Sequence, residues 1–166
     1  MSGRLWKRDE VVLAMNLYCR LPFGRLHKGT PETIELARYL DRTPSSVALK
    51  MVNLASMDPV LAKRGIKGMS NASNLDREVW GSFQGNWELL SFESQKAYLK
   101  IQESEKVDRL PDIPGLAQDI DETEADRTVR VRLVQGFFRE SVLASYRQKC
   151  AFCGFGLNGM LNASHI

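Results

Sequence analysis

The chain is poor in the residues that build covalent and metal frameworks: it has three cysteines and two histidines in 166 residues. Cys19 stands far along the chain from Cys150 and Cys153, so no disulfide framework is expected and a reducing compartment fits. Long apolar runs are also missing. None approaches the roughly 20 residues that a helix needs to span a bilayer. The basic, then apolar start MSGRLWKRDEVVLAMNLYC is interrupted by Asp9, Glu10 and Asn16. It is expected to form an amphipathic helix, not a signal peptide, which places the protein in the cytoplasm with no membrane partner. A hydrophobic share of 43% and a charged share of 26% fit a soluble globular protein. The length allows one domain, or a small domain plus part of a second.

What is present is a pattern of charge. The formal net charge is only +3, yet residues 1–100 hold 15 Lys+Arg against 10 Asp+Glu, residues 101–126 hold 2 against 9, and residues 127–166 hold 6 against 1. Pro111, Pro114, Gly115 and the acidic density mark 101–126 as a linker. It separates a helical module, 1–100, from a C-terminal module, 127–166. Two basic modules on an acidic tether suggest a polyanion partner such as nucleic acid. Two ordinary solvated surfaces would carry the same charges.

In the first module Leu5–Arg20 is expected to be helical and to stop at Leu21-Pro22-Phe23-Gly24, because proline disfavours helix in the residue before it. Two helix starts then share one device. Thr30 precedes Pro31, and Thr43 precedes Pro44, each an N-cap followed by proline at the first helical position. Asp41-Arg42-Thr43 separates the two helices, which is helix-turn-helix spacing. Leu36, Leu40, Val47 and Met51 can form the inner seam, with Ala37 small where the helices approach. If the second helix enters a major groove, Ser45, Ser46, Leu49, Lys50 and Asn53 are the side chains expected to meet the DNA. Asn can pair with adenine, and Lys can reach guanine or phosphate. Asp41 occupies a turn position that is often glycine, Lys50 one that is often apolar, and helix pairs of this kind also build bundles that never touch DNA. Further on, Lys63, Arg64 and Lys67 lie in a glycine-containing loop that could follow a phosphate backbone or simply be solvated. Helices are expected over Leu75–Phe83 and Ser91–Lys106.

The C-terminal module begins with Val129, Val131 and Leu133 alternating with Arg130 and Arg132, a pattern that fits either strand or helix for 128–134. It then turns helical, with Phe138, Val142, Leu143 and Tyr146 on the expected buried side. Arg130, Arg132 and Arg139 form a basic cluster whose guanidinium forks suit phosphate; a solvated face would look the same. Cys150 and Cys153 have the spacing of a zinc knuckle. A closed zinc site needs four ligands, so the pair is equally half of a structural zinc site or a small apolar corner. Leu161 and Ile166 bracket a short expected strand that carries Ser164 and His165.

The segment RVRLVQGFFRESVLASYRQKCAFCGFGLNGMLNASHI resembles the start of the HNH endonuclease domain, the ββα-metal nuclease fold. It is similar to bacterial restriction-type members whose first motif reads ASHI before a proline-containing turn. The stretch LYCRLPFGRLHKGTPETIELARYLDRTPSSVALKMVNLASMDP resembles the leading domain attached to such nucleases. The implied fold is mainly α: an N-terminal helical domain with a helix-turn-helix-like pair, the acidic linker, then the beginning of a ββα-metal (HNH) domain.

The resemblance makes His165 the catalytic general base that takes a proton from the water attacking phosphorus. It also implies a divalent metal (Mg, Mn or Zn) on the scissile phosphate, double-stranded DNA as substrate, and a homodimer if the targets are palindromic. Ser164 stands where many relatives carry an acidic or histidine metal ligand, a feature the ASHI branch shares. The family's asparagine and final metal-binding histidine should follow, and no residue after Ile166 supplies them. The expectation is therefore an HNH-family, restriction-type DNA endonuclease that does not cleave as the 166-residue chain. The alternative is a non-catalytic DNA-binding remnant acting through the helix-turn-helix-like domain.

Overall fold

The computed structural model describes residues 4–66, 71–105, 125–156, 161 and 163. Among them the fold is mainly α, with seven α-helices and no strand. They are α1 (Arg8–Arg20), α2 (Pro31–Tyr39), α3 (Pro44–Ala55), α4 (Pro59–Lys63), α5 (Asn74–Phe83), α6 (Trp87–Glu105) and α7 (Ala125–Ser145), with a 3-10 turn at Phe23–Arg25. No helix among the described residues is long and apolar enough to cross a membrane.

The first helix is the centre of the bundle. Every residue of α1 from Glu10 to Tyr18 is buried, and α3, α5, α6 and α7 all pack on it. The helix expected at the N-terminus forms, but it is buried over that whole stretch, with the polar Glu10 and Asn16 carried into the core among its apolar residues. Its start is held by Glu10, whose carboxylate accepts from the Lys7 backbone N–H at 2.8 Å. Its end falls at Arg20, ahead of Pro22 as expected.

The α2–α3 pair forms as the pattern implied. Leu36, Ala37, Leu40, Val47 and Met51 are all buried, each large side chain contributing on the order of 1.5–3 kcal/mol by leaving water. Asp41 takes the left-handed conformation (φ 48°). The Arg42 N–H donates to the Ala37 carbonyl at 2.8 Å and the Asp41 N–H to the Arg38 carbonyl at 3.2 Å. Those two bonds make a Schellman ending, in which Asp replaces the usual glycine. Thr43 caps α3 by accepting from the Ser46 N–H at 3.2 Å. Thr30 takes the matching position before α2, but its hydroxyl donates to the Arg25 carbonyl at 2.6 Å.

In the second half one open reading is resolved and one expectation changes. Residues 128–134 lie inside the continuous helix α7, so their alternation does not mark a strand. A helix set against two neighbours buries no single clean stripe, and tertiary contact overrides the local period. Helix α7 packs on α1 and α6, and Glu140 accepts from the Arg20 guanidinium. The start of the expected C-terminal module is thus joined to the helical body. Phe137 is its buried anchor, with its ring 6.5 Å from that of Trp87. Leu143 is buried as expected, whereas Tyr146 is 55% exposed. Helix α6 starts one turn before Ser91 and runs to Glu105, into the expected linker. The rest of that linker, 106–124, lies outside the described residues. So does most of the strand expected near the C-terminus.

Candidate nucleic-acid interface and cysteine turn

The cap and turn around α3 decide which side chains face outward. Ser45 is exposed, Ser46 half-buried, and Leu49 is 46% exposed. These three form the outer ridge at the start of the helix. Lys50 and Asn53 do not join it, which corrects their expected place among exposed, DNA-facing residues. Both are buried, and Lys50 is turned toward α5, which packs on α3. The Lys50 ammonium donates to Asp76 Oδ1 at 2.6 Å and stands 4.9 Å from the centre of the Trp6 ring. Asp76 is itself held by the Ser73 N–H at 2.9 Å. A buried lysine is tolerated only with such a partner.

The neighbouring charges are sequestered in the same way. The Glu10 carboxylate accepts from Arg4 at 2.7 Å and from Arg42 at 2.8 Å. Arg42 also donates to the carbonyls of Arg4 and Leu5 and lies 4.1 Å from the Trp6 ring centre. Residues 4–7 are thereby strapped over the α2–α3 corner. The sequence shows these charges but not their pairing, since Glu10 meets Arg42, and Lys50 meets Asp76, only in the folded chain.

The arginines of α7 separate. Arg132 is exposed, Arg139 is half-buried and donates to the Leu161 carbonyl at 3.1 Å, and the side chain of Arg130 lies outside the described ones. Arg139 shares a groove with Arg20, Arg25, Glu32 and Glu140. Arg20 is paired there with Glu140, and Arg25 with Glu32. That groove is close to neutral, so it does not act as a cationic phosphate site.

Beyond α7 the chain turns through Arg147 and Gln148, both left-handed at φ 55° and 58°. It then folds Cys150–Phe155 into a tight loop. The Cys150 N–H donates to the Phe155 carbonyl at 2.7 Å, the Gly154 N–H to the Cys150 carbonyl at 3.0 Å, and Gly154 takes φ 72°, a conformation natural to glycine. The backbone N–H groups of Cys153 and Phe152, with the Cys153 thiol, hydrogen-bond Cys150 sulfur and hold its pKa below the ordinary thiol value. Amides aimed at sulfur suit a thiolate ligand, so the pair fits half of a zinc site. Among the described residues no three His, Cys, Asp or Glu side chains form a group that could hold a metal. Cys19 takes no part: burial, then the nearby Asp58 charge, pushes its thiol up. His165, the proposed base, and Ser164 beside it lie outside the described residues.

The architecture is a helical bundle with a central α1. No protein-family model, curated protein or solved structure matches the chain.

Proposed function

We propose that the protein is a metal-dependent DNA endonuclease of the HNH, restriction type, working in the cytoplasm on double-stranded DNA. The helical module would engage the duplex, and residues 127–166 would carry the first part of the nuclease site. One observation carries the DNA-binding half. The Schellman turn at Asp41 and the Thr43 cap leave Ser45, Ser46 and Leu49 outward on the first turns of α3, where a groove-entering helix makes its contacts. The paired, inward Lys50 and Arg42 contribute rigidity to that corner, not base contacts.

The nuclease half rests on the resemblance of residues 130–166, with His165 as the base that accepts the proton of the attacking water. A divalent metal in such a site polarises the scissile phosphate and stabilises the leaving oxygen. The Cys150–Cys153 turn would be a structural element beside it.

The test has two readouts, duplex binding by this chain and nicking by a version extended through the rest of the HNH motif. Binding to a labelled duplex is followed by anisotropy across a salt series, where phosphate contacts predict a steep loss of affinity with rising salt. Ser45→Glu with Ser46→Glu should weaken that binding by repelling phosphate. Nicking of supercoiled plasmid is followed with magnesium or manganese in parallel. Metal-dependent nicking that His165→Ala abolishes supports the nuclease. Binding without nicking leaves a non-catalytic DNA-binding protein. Absence of duplex binding sinks both.

A further inference from the structure

A cavity of about 480 Å³ opens where α7 crosses the ends of α1, α4 and α5. Its size falls within the roughly 300–1,000 Å³ of small-molecule sites. Its walls are mostly apolar and include the aromatic side chains of Tyr18, Trp80, Trp87 and Tyr146. Tyr18 and Trp80 pack as a tilted pair with ring centres 5.9 Å apart. Trp87 and Tyr146 are 42% and 55% exposed. Large apolar side chains left in water beside an open cavity mark a surface built for contact.

The polar groups are few and convergent. Asp58 accepts from the Tyr18 hydroxyl at 2.6 Å through Oδ2 and from the Val60 N–H at 2.8 Å through Oδ1. A carboxylate has about four acceptor sites, so these two bonds leave capacity for a ligand. Burial, then the bond to Asp58, pushes the Tyr18 hydroxyl up, and Cys19 is raised in the same way. Both stay neutral, which leaves Asp58 as the one charged side chain among the described residues lining the cavity. Ser141 lines it too, and its buried Oγ has no hydrogen-bond partner among the described residues. A buried hydroxyl in that state calls for a partner.

Flat apolar walls around a single anionic acceptor select a flat ligand with an N–H donor. We infer that this cavity binds a planar heteroaromatic ring bearing an amino group, with the amine on Asp58 and the ring stacked on the aromatic side chains. Adenine and cytosine have this chemistry; uracil and hypoxanthine present a carbonyl at the same place and would meet the carboxylate with repulsion. Carboxylate acceptance from a base amine is a known pairing mode, and stacking on an aromatic side chain adds affinity for any planar base. The ring could arrive as a free nucleoside or as a base extruded from DNA. Only the second source rests on the proposed function.

Ligand-observed saturation-transfer NMR on the full chain tests the inference with adenosine, cytidine, inosine and uridine. Adenosine and cytidine should bind about tenfold more tightly than their carbonyl counterparts. Asp58→Asn keeps one oxygen, enough to accept from the Val60 N–H at the α4 cap, while its amide NH2 faces the Tyr18 hydroxyl oxygen, and it should erase that preference. Trp87→Ala, at the exposed rim, should weaken all four while the far-ultraviolet circular dichroism stays unchanged. Equal binding of all four, a preference that survives Asp58→Asn, or no binding by any would overturn the proposal. A duplex with one mispaired cytosine then separates the sources. Tighter binding than cytidine, lost in Asp58→Asn, identifies an extruded base. Binding of the nucleosides with none of the duplex keeps the cavity assignment and removes the DNA reading.

Discussion

The α2–α3 corner and the α7 junction each set carboxylates beside aromatic rings, with opposite outcomes. At the corner, Glu10 and Asp76 are bonded to Arg4, Arg42 and Lys50, and Trp6 closes over two of those cations. At the junction, Asp58 has two hydrogen bonds and no ion pair among the described residues, and Trp87 and Tyr146 face water. At the corner every one of those charges is paired, although the buried Arg42 Nε has no hydrogen-bond partner among the described residues. The junction is unfinished and has room for a guest. A buried charge with its partner missing is costly, whereas an acceptor at the edge of a cavity can wait for one.

The contrast predicts where substitution hurts most. Lys50→Ala leaves Asp76 buried without its cation and should cost about 3–5 kcal/mol in urea denaturation. Pairing Lys50→Met with Asp76→Leu should recover most of that loss, because no charge then stays buried. A small loss in the single variant would show that water reaches Asp76 and that the corner is looser than drawn.

Trp6→Ala removes the ring shared by Arg42 and Lys50 and should cost about 2 kcal/mol, measured in the same way. At the junction, Tyr18→Phe removes one hydrogen bond to Asp58 and should cost only about 1 kcal/mol. If it costs as much as Lys50→Ala, the two regions are energetically alike and the contrast fails.

The smallest perturbation is chemical labelling. Iodoacetamide near neutral pH should modify Cys150 first, since its lowered pKa enlarges the thiolate fraction. Its labelling should also persist to lower pH than that of an ordinary thiol. Cys19 lines the cavity, but its pKa is raised, so it should react much more slowly than Cys150. Peptide mass spectrometry reads both, and labelling of Cys19 as fast as that of Cys150 would overturn this order.

The helix starts at Pro31 and Pro44 and the α2–α3 seam were legible because capping, proline placement and the 3.6-residue period act over a few neighbouring residues. The inward turn of Lys50 was not. It depends on Asp76 arriving from α5, which no local pattern announces. Val129–Leu133 stays open between strand and helix in the sequence for the same reason: short-range alternation suits either, and the structure makes the segment part of α7, which packs on α1 and α6. Of the candidate site residues, Ser45 and Ser46 keep their outward place, and Cys150 and Cys153 form the tight turn their spacing suggested. Tyr18 and Asp58, 40 positions apart, carried no signal at all.

By itself, then, the sequence determined the mainly helical class, the position of most caps and breaks, and the seam that joins α2 to α3. These follow from backbone sterics and from burial of side chains close together along the chain. Tertiary structure alone decided which charges are locked, which face of α3 is free, and that a cavity lies beneath α7. Such features need groups distant in sequence to meet at fixed distances, and only the packing of whole helices sets those.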